Sequence, residues 1–288
     1  MNLQPVIKWS GSKRSQAPEI AKYITKQYDT YYELFCGGCS MLFYILNNKY
    51  YADKFKRFVC NDINLPLINL YKLIMQNYKE VQNAYFNLWN ELNKDDNLER
   101  KKKYFASIRE EFNKTQRPEL LFFIMRTTTN GMPRYNSKGE FNNSFHVTRN
   151  GMNPSETENI LKHWSYKLRQ YKVEFYSAID KNCYDSFSTT EKDLLYLDPP
   201  YANGNQMYFG TIDYNNLWNY LKNTKSDWLL SFDGKAGEED NTVEIPKIYD
   251  KHIYINSGNS SFRRVIGKSN NTIVEESLYI KIHTIMVS

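Results

Sequence analysis

The sequence predicts an α/β protein in which a nucleotide-type sheet is interrupted by a mostly helical insertion. Three observations carry this. From Ala17 to Asp62 the text reads helix, strand, glycine-rich turn, helix, strand, acid, the order of the first half of a nucleotide-binding sheet. After Leu65 the period changes to the spacing of amphipathic helices. Strand-like text then returns beyond residue 190, too far along the chain for a simple crossover between neighbouring strands.

Taken in order, Ala17–Tyr28 reads as a helix. Tyr31–Phe35 is aromatic and apolar, hence a strand, and it runs into Cys36-Gly37-Gly38-Cys39. Ser40 is placed to cap a helix carrying Leu42, Phe43, Ile45 and Leu46. Phe58–Cys60 is a short strand ending at Asn61-Asp62. Leu65–Tyr78 reads helical, and Val81, Ala84, Tyr85, Leu88, Trp89 and Leu92 mark one face of a further helix. Lys102–Phe112 is another helix, whereas Phe122–Met125 is apolar but too short to assign. From Thr127 to Asn153 turn residues dominate, and Arg134–Asn136 with Glu140–Asn142 flank a hairpin about Lys138-Gly139. Strands follow at Asp193–Leu197, Trp228–Phe232, His252–Ile255 and Ser277–Ile282, with a helix at Asn216–Leu221. The expected division is 1–66 for the first part of the sheet domain, 67–155 for the insertion and 156–288 for the rest.

The 288 residues are 41 % hydrophobic, enough for a packed core and against wholesale disorder. No apolar run approaches the ~18–20 residues that span a bilayer. The opening Met1–Val6 lacks the pattern of a secretory signal, so the expected location is cytoplasmic. Four cysteines are too few for a disulfide framework. Cys36 and Cys39 have redox or zinc spacing, but Cys60 and Cys183 form no second pair and the four histidines are scattered, so no metal is expected. The net charge is +6, and Leu67–Ser155 carries 14 Lys and Arg against 9 Asp and Glu, nearly the whole excess. With 24 Tyr, 16 Phe and 5 Trp, such a chain fits a polyanion with stackable bases. Solvated helix faces and a ring-filled core give the same composition.

Asp198-Pro199-Pro200-Tyr201 is the most informative tetrapeptide. It follows a strand, at the edge where open α/β sheets place their sites. Two prolines stiffen the loop and leave carbonyls to accept. A carboxylate beside a fixed carbonyl accepts both hydrogens of an amino group, and the Tyr201 ring offers a stacking face. Together they suit an exocyclic amine on an aromatic base; a rigid turn with a capping Asp is the simpler alternative. Phe35-Cys36-Gly37-Gly38 after one strand, with Asp62 ending the next, fits a nucleoside site in which the acid accepts ribose hydroxyls. Lys8-Trp9-Ser10-Gly11-Ser12-Lys13 precedes the first helix and supplies a ring and cations, or a capped helix start with a packed Trp. No P-loop motif is present.

In their order along the chain, Lys8–Lys13, Phe35–Ser40, Asp62, the basic insertion with Arg134–Asn142, and Asp198–Tyr201 resemble the Dam-like family of S-adenosylmethionine-dependent DNA adenine methyltransferases. The resemblance spans nearly the whole chain. It implies a Rossmann-like methyltransferase sheet with helices on both faces and an inserted, mainly helical target-recognition domain with a hairpin. It also implies S-adenosylmethionine as cofactor, held by Trp9, Lys13, Phe35, Gly37, Asp62 and Asp198. Asp198, Pro199 and Tyr201 would hold a flipped adenine of double-stranded DNA, whose 6-amino group receives the methyl. Asn130, Arg134, Asn136 and Lys138 would face DNA from the hairpin, and Arg263 and Arg264 from a second loop. A cognate restriction endonuclease is the partner such enzymes suggest, and the bacterial nucleoid or a phage-infected cell the setting. The sequence departs from the family at Cys39, where a second glycine is common. It departs again at Thr129, where some members that read GATC carry an aromatic wedge. Methylation of RNA adenine in the same pocket, and a non-catalytic DNA-binding protein on the same fold, stand as the alternatives.

Overall fold

The computed structural model describes residues 4–177, 186–201, 212–259 and 273–283. Arg263 and Arg264, expected to face DNA, lie outside the described residues. In chain order the described elements are α1 (Ala17–Ala21), β1 (Tyr28–Glu33), α2 (Ser40–Asn47), α3 (Lys49–Ala52), β2 (Phe55–Asn61), α4 (Leu65–Leu92), α5 (Leu98–Thr115), α6 (Pro118–Thr127), α7 (Pro154–Gln170), β3 (Glu174–Tyr176), β4 (Asp193–Leu197), α8 (Tyr214–Asn223), β5 (Asp227–Ala236), β6 (Glu239–Asp240), β7 (Lys251–Asn259) and β8 (Ile273–Lys281). One-turn 3-10 helices occupy Lys13–Ser15 and Thr129–Gly131. The chain divides into two compact units. A sheet unit comprises Lys13–Asn61, Ala178–Asn205 and Thr211–Ser288, and a helical unit comprises Met1–Ser12, Asp62–Ser177 and Gln206–Gly210.

In the sheet unit the strands run in the order β2-β1-β4-β5-β8-β7, with β6 beside β5. β2, β1, β4 and β5 are mutually parallel, while β8 is antiparallel to both β5 and β7. The result is a mixed, mainly parallel α/β sheet. The central strands are buried on both sides, which explains their continuous apolar text. Tyr32, Leu34, Leu195, Leu197, Trp228, Leu230 and Phe232 share one core with Leu217 and Leu221 of α8. The alternate residues Tyr31, Phe58, Leu194, Tyr196 and Leu229 are buried as well. Glu33 pairs with Tyr196 in the β1–β4 register, so the Gly37 turn and Asp198 leave the sheet at the same carboxyl edge.

Several expectations needed correction. The first helix ends at Ala21, and the chain from Tyr28 onward is already β1, pairing Tyr28 with Phe55. Ser40 does not cap α2: the N-cap is Cys39, left-handed at φ 53°, with no side-chain cap bond. The acceptor comes instead from β1, where the Glu33 carboxylate receives the Leu42 N–H at 2.8 Å.

In the helical unit, the two helices read from Leu65–Tyr78 and Val81–Leu92 are one long element, α4, kinked where Asn77 leaves helical geometry. Phe122–Met125, too short to assign alone, lies within α6, started by Pro118 at its first turn. Tyr71 of α4 stacks on Trp164 of α7, and Tyr85 of α4 meets Phe122 of α6 edge-on. These rings account for part of the aromatic excess as core. The compact helical unit runs from Asp62 to Ser177, so α4 and α7, inside which the expected boundaries at 66/67 and 155/156 fall, belong to it whole.

Candidate active site

Within the sheet unit, β4 ends at Leu197 and delivers Asp198 into a small charged cluster. Lys13, from the 3-10 turn before α1, places its ammonium 2.8 Å from Asp198 Oδ1 and 3.2 Å from Glu276 Oε2 on β8. The Lys13 side chain is 3 % exposed, that of Asp198 19 % and that of Glu276 15 %. The Tyr201 hydroxyl donates to Glu276 Oε2 at 2.5 Å. Lys13 Nζ also lies 5.0 Å from the Tyr201 ring centre, and that ring meets Phe232 of β5 edge-on. The Tyr214 hydroxyl, at the start of α8, donates to the Pro200 carbonyl at 2.5 Å and ties down the proline loop.

Burial raises the Asp198 carboxyl to about 6; the Lys13 ammonium opposes the shift and the Glu276 carboxylate adds to it. The cluster thus holds two carboxylates around one ammonium. Its acidic excess complements a positively charged ligand.

On the neighbouring strand, Cys36 N–H donates to Asn61 O at 2.9 Å and Cys39 N–H to Cys36 O at 2.6 Å, closing the turn that contains Gly37. Gly37 has φ 42° and Phe35 is half-buried beside the core that also packs Tyr201. Cys36, Cys39 and Cys60 are buried free thiols, and Cys39 hydrogen-bonds Cys60 rather than forming a Cys36–Cys39 pair. Among the described residues no group of three His, Cys, Asp or Glu is placed to hold a metal.

The helical unit carries the other predicted residues. Asp62 Oδ1 accepts the Asn64 N–H at 2.9 Å; Asn64 Oδ1 caps α4 at Leu67 N, and its Nδ2 donates to the Tyr135 hydroxyl at 2.9 Å. Asp62 is therefore linked to the hairpin through Asn64. The hairpin is present: Tyr135 bridges Phe141, Asn142 N–H donates to Arg134 O, and Asn136 N–H donates to Glu140 O. Arg134 and Lys138 are exposed on it. Asn136 is taken up in building the turn, since its Oδ1 accepts from Lys138 N and Glu140 N and its Nδ2 donates to Glu140. Asn130 lies in the 3-10 turn Thr129–Gly131.

The segment with Lys8 and Trp9 is fixed by Arg126, which donates to the Pro5 and Val6 carbonyls. Trp9 is half-buried. Gly131 is required where this segment meets the hairpin: φ is 63° and a Cβ would stand 2.3 Å from Lys8 Cβ. The Arg100–Lys103 run is not a uniform solvated face. Lys101 is 4 % exposed beside Asp96, Lys102 pairs with Glu99, and Arg100 with Asp95.

A family model for D12 class N6 adenine-specific DNA methyltransferases matches residues 9–255. The chain belongs to this family. It is 30 % identical over 213 residues to the type II methyltransferase M.MjaIII of Methanocaldococcus jannaschii, covering 70 % of each chain. It is 24 % identical over 265 residues to the type II methyltransferase M.CviBI of Paramecium bursaria Chlorella virus NC1A, covering 88 % of each. It is 30 % identical over 205 residues to the DNA adenine methylase of Haemophilus influenzae, covering 69 % of this chain and 64 % of that one.

As a D12 class enzyme the chain methylates adenine in DNA at N6, with S-adenosylmethionine as the methyl donor. The donor set fits that cofactor: Asp198 and Glu276 together face the single Lys13 ammonium, and this acidic excess suits a sulfonium cation. The sequence singled out Lys13, Asp198 and Tyr201, which the fold brings together. It missed Glu276, whose available signal was a pair of adjacent acids, Glu275-Glu276, just before the Ser277–Ile282 strand text.

Proposed function

We propose that this chain is a site-specific methyltransferase acting on double-stranded DNA, in which Asp198, Pro199 and Tyr201 hold a flipped adenine and the hairpin reads the sequence. The observation that carries the assignment is the Lys13–Asp198 ion pair at the carboxyl end of β4, beside the Tyr201 ring. A base inside a duplex cannot reach such an edge, so extrusion is required, at a cost of a few kcal/mol that stacking on Tyr201 partly offsets.

S-adenosylmethionine supplies an electrophilic methyl group when bound. The chain's own residues prepare the amine. The adenine 6-amino group is a poor nucleophile because its lone pair is delocalised into the ring. Asp198 accepts one amine hydrogen and the Pro199 carbonyl the other, which localises the lone pair on nitrogen. Lys13 engages Asp198 Oδ1 and so fixes the orientation of the carboxylate for the amine. With its titration raised to about 6, Asp198 is still mostly ionised at neutral pH, ready to accept from the amine and to take up the proton that the methylated nitrogen releases. Trp9, Lys13, Phe35, Gly37 and Asp62 are read as the cofactor's contacts, with Asp62 toward its ribose.

Residues 67–155, including Arg134 and Lys138 on the hairpin, are read as the target-recognition segment, with Asn130, Arg263 and Arg264 as further DNA contacts. A cognate restriction endonuclease is read as a companion, supported by relatives named as type II methyltransferases. The place of work is inside the cell, with the DNA; no helix among the described residues is long and apolar enough to cross a membrane. Methyl transfer to unmethylated duplex DNA by wild type and Asp198→Ala tests the assignment. Wild type should be active and the variant inactive; comparable activity in both contradicts it.

A further inference from the structure

Glu276 lies on β8, at a place where both neighbouring strands depart from regular pairing. On β5, Phe232 pairs with Ser277 and Lys235 with Glu275, so Asp233 and Gly234 together stand opposite the single residue Glu276. On β7 the register slips between Asn256 and Gly258, one residue further along the same stretch of β8. The extra residue is carried by β5, and the packing there is close. A Cβ on Gly234 would stand 2.2 Å from Glu275 O and 2.8 Å from Glu276 Cα. From this position the Glu276 carboxylate reaches two partners that no neighbour in sequence supplies. These are the Tyr201 hydroxyl at 2.5 Å and the Lys13 ammonium at 3.2 Å.

We propose that Glu276 is a positioning residue for methyl transfer: its carboxylate holds the Tyr201 ring in place for the base and shares the Lys13 ammonium, so that Lys13 orients Asp198 without tying up the whole carboxylate. This rests on the assignment of Asp198 and Tyr201 to the adenine. With Glu276 neutral, Lys13 closes entirely onto Asp198, and the Tyr201 hydroxyl loses its anionic acceptor. The charged and titratable groups facing Asp198 are Lys13 before α1, Glu33 on β1, Tyr196 on β4, Tyr201 in its own loop and Glu276 on β8. Among these, Glu276 pushes the Asp198 carboxyl up and Lys13 pulls it down. Glu276→Gln removes the push and strengthens the pull, so both changes lower the pH at which Asp198 titrates.

The test compares wild type, Glu276→Gln, Tyr201→Phe and the double variant. Single-turnover transfer of tritiated methyl to unmethylated genomic DNA is followed from acid to mildly basic pH. Glu276→Gln should be slower by about tenfold at neutral pH, with the acid limb of its profile displaced to lower pH. The double variant should be no slower than the worse single one, because Tyr201 and Glu276 act as one unit. A purely structural role for Glu276 would lower the rate without moving the limb. An unmoved limb, or losses that multiply in the double variant, overturns the proposal. Carboxyl 13C NMR of Asp198 in wild type and Glu276→Gln follows the same titration without turnover. A wild type that transfers no methyl group while the Asp198 midpoint still falls in Glu276→Gln fails the adenine assignment and keeps the Glu276 arrangement. An unchanged midpoint overturns the arrangement itself.

Discussion

Lys13 Nζ stands 2.8 Å from Asp198 Oδ1, joining a residue before the first helix of the chain to the loop after β4. The Lys13 side of the pair is sealed from water and the Asp198 side largely so, and Asp198 is held charged less easily than an ordinary carboxylate, near 6. Asp198→Ala and Asp198→Asn should therefore lose methyl transfer by at least about a thousandfold, ~4 kcal/mol in barrier, while DNA affinity is largely kept. Rapid-quench rates and filter binding read the two quantities separately. A loss under tenfold would remove Asp198 from the chemistry.

The same group predicts a pH dependence of opposite sign for stability. Its folded pKa is raised, so its contribution is fully present below the unfolded value of 3.8 and is lost as pH rises through about 6. Asp198→Asn should then melt higher than wild type at pH 8, by at most about 3 kcal/mol of stability, with the gain vanishing near pH 4. Calorimetry at both pH values checks this. An inactive variant that is more stable than its parent would mark a site whose charge burial serves function.

Tyr201 separates ring from hydroxyl. Tyr201→Ala should be severe because the stacking face is gone. Tyr201→Phe keeps that face and should be milder, although it gives up the bond to Glu276. Single-turnover rates decide; equal losses would place the essential function on the hydroxyl.

Asp62 should act on cofactor affinity. Asp62→Ala should weaken S-adenosylmethionine binding by about tenfold or more in calorimetry, since a carboxylate on sugar hydroxyls makes charge-assisted bonds. Part of that loss has a local source, because Asp62 Oδ1 also accepts from Asn64 N, which anchors α4 and Tyr135. Asp62→Asn, which keeps that acceptor, should retain the fold and still lose affinity. Unchanged binding in both variants would remove Asp62 from the cofactor site.

Reading and holding should separate in the helical unit. Arg134 is exposed on the hairpin, and arginine makes the commonest specific contact in a major groove, worth ~1–3 kcal/mol of discrimination. Arg134→Ala should relax preference at one base pair of the target. Lys102 and Lys103 are exposed on α5, and replacing both should weaken all duplexes alike and flatten the salt dependence. Lys101 is buried, so Lys101→Ala should lower stability instead. Rates on every single-base variant of the target, at two salt concentrations, and a melt of Lys101→Ala distinguish these outcomes.

Much of this was legible in the text because the responsible signals are local. The apolar runs of β4 and β5, the turn at Gly37 and the hairpin about Lys138-Gly139 are each written in consecutive residues. Asp198 stood out because two prolines follow it. Glu276 did not, because the partners that give it a place in the site, Tyr201 and Lys13, lie far from it in sequence. The cap of α2 was misread for the same reason: Ser40 has the right chemistry and place, but a buried carboxylate from β1 supplies the bond. The burial of Lys101 was hidden inside a basic run whose neighbours face water.

The central claim is methylation of adenine at N6 in duplex DNA. Its most direct test is incubation of the purified protein with unmethylated duplex DNA and S-adenosylmethionine, followed by digestion to nucleosides and mass spectrometry. N6-methyladenine should appear with wild type, be absent with Asp198→Ala, and map on sequencing to one short recurrent site. N4-methylcytosine in its place, modification of RNA but not of duplex DNA, or no modified nucleoside at all would contradict the account.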